Sequence, residues 1–415
     1  MRRADTPAEA AFRAEARAWL EKSARRRTGR GDWSAGPREH TDAAEREFFE
    51  RCRDWQRRRF DGGFAGITWP REHGGRGGSP AQALIFAEEL EAFDATSGFL
   101  ASTIDLVGPA LLAHGSPAQR ERFLRPLLRG DEAWCQLFSE PEAGSDLAAL
   151  RTRAERHGGE FRVTGQKLWT SGAQFCEWGI LLARTNPDVP KHRGISFFLL
   201  DMRTPGIEVR PLPTSTGAVH FNEVFLTGVR VPADRVVGAV DAGWKVTVTT
   251  LSNESVSIGT SASGAGAAAL VELARERGLA ADPAVRQAVA QAWVEERLLA
   301  LMAERVKQAV LDGRAPDLDG SVLKVYWAES RLRRDETALR LQGAAGLLAG
   351  ADAVAGGLWQ DAVLNRYLGT IGGGTLEVHR NGIGERALSL PREPRVDRDV
   401  PFRDLKADMK SRELP

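Results

Sequence analysis

The hydrophobic period of this chain changes twice along its length, and that order limits the folds open to it. From Thr6 to about Gly130 apolar residues recur at the helical period of about 3.6 residues, with Phe12, Ala16 and Trp19 on one face of a first helix and Phe48, Cys52 and Trp55 on one face of a second. From Asp131 to Gly238 short β-type runs take over, divided by turn residues: Phe161 to Val163, Gly179 to Leu182, Ile195 to Leu200, Ile207 to Val209 and Val229 to Val231. Helical spacing returns from Ala242 to Ala387, carrying Trp293, Leu298, Leu299 and Met302. Such an order argues against a doubly wound sheet, in which strand and helix alternate. The spacing predicts an α+β chain with helices over 1–130, a small antiparallel β-barrel or sandwich over 131–240, and helices over 241–395. The remaining 396–415, rich in Arg, Asp and Pro, reads as a tail or an arm against a neighbouring subunit.

Composition removes several function classes. With 415 residues, 57 basic and 56 acidic side chains and a net charge of +1, no bulk field draws the chain to nucleic acid or anionic lipid. No apolar run approaches the roughly 18 residues of a membrane span, and Met1-Arg2-Arg3-Ala4-Asp5 leads into no apolar secretory segment, so a cytoplasmic location is expected. Cys52, Cys135 and Cys176 form no CxxC pair and the histidines are scattered, so neither a disulfide framework nor a metal site is expected. Gly264-Ala265-Gly266 is the nearest approach to a dinucleotide fingerprint, and it sits in an Ala-rich helical stretch. Any dinucleotide must be held another way.

Two segments carry the chemistry. Gln136-Leu137-Phe138-Ser139-Glu140-Pro141-Glu142-Ala143-Gly144-Ser145-Asp146 lies where helices give way to strands, and its small residues free backbone N–H groups beside the Ser139 and Ser145 hydroxyls. Gly165-Gln166-Lys167-Leu168-Trp169-Thr170-Ser171-Gly172 sets a Trp beside two hydroxyls, which suits a planar heterocycle with a polar edge. The first resembles the SEPxAGSD signature of the acyl-CoA dehydrogenases, with Glu142 where Gly is usual, and the second resembles their GQKxWxS/T segment. The likeness continues through Gly66 to Pro70, His192 to Ser196, His220 to Phe225 and Val229 to Pro232, over about residues 7 to 394, and is nearest to actinobacterial members.

The resemblance implies FAD, a middle antiparallel β-barrel domain and a C-terminal four-helix bundle. It assigns flavin contacts to Gln136, Phe138, Ser139, Gly144, Ser145, Trp169, Thr170 and Ser171, with Ser145 also touching the CoA chain. Its second signature is altered here to Arg340-Leu341-Gln342-Gly343-Ala344-Ala345-Gly346, which adds Arg340 and Gly343 to the cofactor contacts beside Gln287, Thr375 and Glu377. The family removes an α-proton from a thioester onto a carboxylate as the β-hydride goes to flavin, and the common base position is Gly373 here. Members similar to isovaleryl-CoA dehydrogenase carry the base on a C-terminal-domain helix, and the matching acid is Glu254, three residues after Leu251 and four before Ile258 on an apolar stripe predicted from Trp244, Val248, Leu251, Ser255 and Ile258. Ser252 and Ser255 stand where the family has Asp and Arg, and with Ser145, Gly373 and Gly374 they form the expected substrate contacts. Implied partners are an acyl-CoA or acyl-carrier thioester, an electron-transfer flavoprotein, and further subunits as a homodimer, homotetramer or heterotetramer. Two alternatives stay open: a flavin-dependent oxidase or hydroxylase of an unusual substrate, and a non-catalytic subunit of a heteromeric dehydrogenase.

Overall fold

A computed structural model describes residues 5–28, 36, 41–260, 266–313, 317–394 and 397–405; the side chains of 253–260, 310, 317–319 and 351 lie outside that description. The chain divides into two compact units, Arg3–Asn253 with Glu393–Pro415, and Glu254–Arg392.

The first unit opens with α1 (Pro7–Ser23), α2 (Asp42–Asp61), α3 (Pro80–Leu90), α4 (Phe99–His114) and α5 (Pro117–Arg129). Thr6, Ser79 and Ser116 each close a capping box with Glu9, Gln82 and Gln119, and a proline follows each cap, so these starts are set locally. Phe12, Ala16, Leu20, Trp55, Phe64 and Phe86 form the helical core, with Trp19 packed at its edge. On α2 Phe49 is buried as well as Trp55 and stacks between Phe99 and Phe175, while Phe48 is only partly covered.

Seven strands follow: β1 (Trp134–Leu137), β2 (Arg153–His157), β3 (Glu160–Ser171), β4 (Trp178–Arg184), β5 (Ile195–Asp201), β6 (Ile207–Leu212) and β7 (Phe221–Pro232). They form one sheet in the order β1-β4-β2-β3-β7-β6, with β5 also paired to β4. Pairing is antiparallel except that β1 runs parallel to β4, with Gln136 opposite Ile180, and β2 meets β4 in parallel at Arg153 and Arg184. The unbroken apolar runs of β4 and β5 have a direct cause. Ile180, Leu182, Phe197 and Leu199 enter the core shared with α4 and α5, whereas Leu181, Ala183, Phe198 and Leu200 enter the core on the other face. Each fully covered Leu or Phe contributes about 1.5–3 kcal/mol.

Helix α6 (Gly243–Thr260) closes the first unit and continues into the second. It is helical despite its β-branched residues, and the Thr247, Thr249 and Thr250 hydroxyls donate back to the carbonyls of Gly243, Lys245 and Val246. That internal satisfaction lets Thr247 and Thr250 bury beside Val246, while Val248 of the expected apolar stripe is exposed. The second unit contains α7 (Ala267–Glu276), α8 (Pro283–Leu311), α9 (Asp317–Gln342), α10 (Leu358–Asn365), α11 (Leu368–Ile371) and α12 (Leu376–Gly382). Leu270, Leu273, Ala292, Ala338, Leu341 and Trp359 make its core. Trp293 and Leu298, part of the helical pattern that predicted α8, lie on its exposed side. No helix among the described residues is long and apolar enough to cross a membrane.

Candidate functional site

The two signature segments meet through a buried ion pair. Along β3 the inward positions are Phe161, Val163 and Lys167, and the Lys167 ammonium, fully enclosed, donates to Glu140 Oε1 at 2.7 Å and to the Phe138 carbonyl at 3.0 Å. Glu140 also accepts the backbone N–H groups of Arg151 at 2.6 Å and Thr152 at 3.0 Å. Burial pushes the Glu140 carboxyl up, but the Lys167 charge and these donors outweigh it and hold the group below the usual carboxylate range. Burial pulls Lys167 down, with Glu140 opposing. One backbone bond completes the join: Leu168 N–H donates to the Ser139 carbonyl at 2.9 Å.

Beyond Glu140 the first segment makes a tight turn in which Glu140 and Ala143 exchange backbone bonds at 3.1 Å. Gly144, Ser145 and Asp146 are then exposed, and Leu147 and Ala148 return to the core. Glu142, in place of the usual Gly, keeps its backbone out of the left-handed region and pairs with Arg151 at the surface, so the substitution is accommodated. Gln136 and Ser139 are half-buried, and Phe138 is buried edge-on against Phe197.

On β3 the register against β7 slips between Lys167 and Thr170, and the irregularity holds Trp169 at φ 61°. A left-handed tryptophan costs roughly 1–2 kcal/mol, and here it turns the indole out, 55% exposed, with one edge on Phe221. Thr170 turns inward and is fully buried; its Oγ1 has no hydrogen-bond partner among the described residues. Ser171 is half-buried at the strand end.

In the second unit the remaining candidates form two groups. Arg333 of α9 pairs with Glu295 of α8 at 2.8 Å, and the two helices run antiparallel across a short connection, so Gln287 falls level with Arg340 and Gly343. Arg340 is exposed and paired to Glu336. The other group is the glycine turn: Gly373 and Gly374 at φ 66° and 91°, with Thr375 capping α12 and Glu377 exposed on its first turn. Lys324 donates to the Gly372 carbonyl at 2.9 Å, and His379 Nε2 bonds the Gly373 carbonyl at 3.1 Å. Because a carbonyl only accepts, Nε2 carries the proton. Lys324 and Arg340 are separated by roughly 24 Å along α9 at about 1.5 Å per residue, so the two groups do not form one contact set. Ser252 is exposed on α6; the side chains of Glu254 and Ser255 lie outside the described residues.

Sequence models of the acyl-CoA dehydrogenase N-terminal, middle and C-terminal domains match residues 6–131, 135–229 and 241–388. The chain belongs to the acyl-CoA dehydrogenase family. It is 38% identical over 390 residues to the acyl-CoA dehydrogenase IpdE1 of Mycobacterium tuberculosis, covering 92% of this chain and 98% of that one. Among solved structures it is similar to the Tcur3481-Tcur3483 steroid ACAD, at 29% identity and a TM-score of 0.77 over 95% of this chain and 100% of that one. It is also similar to the ChsE4-ChsE5 complex from Mycobacterium tuberculosis, at 29% identity and a TM-score of 0.74 over 94% and 100%. Acyl-CoA dehydrogenases are FAD-using oxidoreductases that act on acyl-CoA, and the helix, strand, helix architecture expected from sequence is theirs.

Within this acyl-CoA dehydrogenase, sequence reasoning quoted Glu140 and Lys167 without giving either a role. A signal was available, because a period of two places Lys167 on the face of Phe161 and Val163, where an unpaired ammonium would be untenable. The C-terminal segment 397–405, read as a tail or an arm to a neighbour, packs within its own unit: Phe402 and Arg403 donate backbone N–H groups to the Val189 and Pro187 carbonyls.

Proposed function

We propose that this acyl-CoA dehydrogenase binds FAD and α,β-dehydrogenates the CoA thioester of a bulky, steroid-derived acyl group, with Glu254 as base. The observation that carries the reading is the Lys167–Glu140 lock, which joins the serine-bearing loop to the strained bulge at Trp169. These residues suit a planar ring with a polar edge. Trp169 offers an exposed face, Thr170 Oγ1 is a buried polar atom with no partner among the described residues, and a side chain added at Gly144 would meet none of them within 4 Å. Gln136, Phe138, Ser139, Gly144, Ser145, Trp169, Thr170 and Ser171 would hold the ring, while Gln287, Arg340 and Gly343, with Thr375 and Glu377, would hold the remainder of an FAD shared between subunits.

Bound FAD supplies the two-electron acceptor for the β-hydride. Glu254 takes the α-proton as the Cα–H bond breaks, and the electron pair of that bond enters the new double bond. The N–H of Gly373, in a turn braced by His379 and Lys324, polarises the thioester carbonyl, with Gly374 beside it. Ser145, Ser252 and Ser255 contact the substrate chain, and an electron-transfer flavoprotein is the expected electron acceptor. The steroid class is supported by the similarity to a structure described as a steroid ACAD. Anaerobic addition of a steroid and aliphatic acyl-CoA panel to the purified flavoprotein should bleach the flavin in wild type and not in Glu254→Gln. Undiminished bleaching in the variant sinks the assignment of the base.

A second reading, one subunit of a two-component dehydrogenase, is favoured by Gly373 in place of the common base and by the exposed Trp293, Leu298 and Leu301 of α8. FAD content of the chain purified alone and with a co-expressed partner separates the two.

A further inference from the structure

The loop that carries Gly144 and Ser145 hangs between two posts. One is the buried Glu140–Lys167 pair. The other is Lys191, in the connection between β4 and β5, whose ammonium donates to Asp146 Oδ2 at 2.7 Å and to Asp397 Oδ2 at 2.5 Å. Lys191 is 8% exposed, so its charge depends on these two carboxylates, and one of them belongs to the C-terminal segment. A second link runs beside it. The buried Arg184 donates to the carbonyls of Ala148 at 2.6 Å, Leu150 at 3.3 Å and Lys191 at 2.8 Å, and Phe402 lies 3.6 Å from its guanidinium carbon, ring centroid to Cζ. With carbonyls for partners, the guanidinium has its exposed flank closed by an aromatic face. The segment itself is well seated: Pro401 bridges Pro190, Phe402 and Arg403 bond the Val189 and Pro187 carbonyls at 2.9 and 3.0 Å, and Arg403 pairs with Asp188.

We infer that the C-terminal segment 397–405 is a positioning element for the signature loop: Asp397, through Lys191, holds Asp146, and Phe402, through Arg184, holds the turn at Ala148 to Leu150, so that together they set Ser145 for the thioester substrate. The inference rests on the acyl-CoA reading of that loop. Glu140 fixes where the loop leaves the sheet, but five residues separate it from Asp146, and of these Pro141, Glu142, Gly144 and Ser145 are exposed. Without the second post the loop's far end loses its polar ties and keeps the burial of Leu147, Ala148 and Leu150 and its own short turn, in which Ala149 and Leu150 bond back to Asp146 and Leu147.

The test uses the full chain with Asp397→Asn, Asp397→Glu and Phe402→Ala. Hydrogen exchange, which needs neither cofactor nor turnover, should accelerate at Ala149 and Leu150 in Asp397→Asn and Phe402→Ala by roughly threefold to tenfold. Arg151 and Thr152, held by Glu140, should exchange as in wild type. With the acyl-CoA that wild type turns over fastest, KM should rise by a similar factor in Asp397→Asn while kcat stays within about twofold, and Asp397→Glu should restore it. Unchanged exchange at Ala149 and Leu150, or equal acceleration at Arg151 and Thr152, overturns the positioning role, as does a lowered kcat with KM intact. A wild-type protein that turns over no acyl-CoA instead removes the reading on which the KM arm depends, and the exchange pattern still decides whether the segment holds the loop.

Discussion

Replacing Lys167 by Met tests the lock between the two signature segments at its least replaceable point. The Lys167 side chain is 0% exposed and that of Glu140 is 6%, and their 2.7 Å contact is closed from solvent on all sides. Methionine fills much of the same volume but leaves the Glu140 carboxylate with only the Arg151 and Thr152 N–H groups and strands the Phe138 carbonyl. Removing one member of a buried pair costs about 3–5 kcal/mol. For a cooperative unit of roughly 250 residues, at about 2 °C per kcal/mol, the apo protein should melt roughly 6–10 °C lower. Acid sensitivity should change with it. In wild type the Glu140 carboxyl is held below its ordinary value of 4.5, so its stabilisation is complete above that value and fades as pH falls through the depressed one. In the variant the Lys167 charge no longer opposes burial, and with the Arg151 and Thr152 donors alone against it the carboxyl rises, so stability is lost at a higher pH. Calorimetric melts of Lys167→Met, Glu140→Gln and the double variant, run without FAD, form the cycle, and the double variant should recover a large part of the loss. Strictly additive losses, or a single-variant shift below about 2 °C, would refute the claim that the segments are joined by this pair.

Two further outcomes follow from strained and buried groups. Trp169→Gly removes a left-handed side chain and should leave the apo melting temperature unchanged or higher, while FAD dissociates up to about tenfold more readily for want of the ring face; a flavin affinity equal to wild type, measured by fluorescence titration, would show that the bulge serves packing alone. Burial lowers His379 below its ordinary 6.5, partly offset by its bond to the Gly373 carbonyl, so the unfolded chain takes up a proton before the folded one does. Stability should therefore decline as pH drops below 6.5, and His379→Gln should flatten that part of the melting profile; identical profiles in both proteins would exclude this histidine as the source.

Much of the molecule was legible one segment at a time. Thr6, Ser79 and Ser116 cap the helices they precede, the β-type runs at Phe161, Gly179, Ile195, Ile207 and Val229 lie in strands, and the order of the three regions named the architecture, because period and capping act over a few residues. The motifs at Ser139 and Trp169 were likewise visible as strings. What no window could contain was their junction: Lys167 reaches Glu140 27 residues away, and Lys191 joins Asp146 to Asp397 across 45 and 206 residues. The left-handed turn of Trp169 arises from a slip of β3 against β7, not from any local preference of tryptophan. The expected stripe on α6 holds at Trp244 and Leu251, which pack on the core, but not at Val248, since self-satisfied threonine hydroxyls let Thr247 and Thr250 take the buried face there. Sequence by itself determined which chemistry-bearing groups this acyl-CoA dehydrogenase possesses and the elements that carry them. Tertiary structure alone decided which charges are enclosed together, because an ammonium removed from water must find its carboxylate wherever the fold brings one.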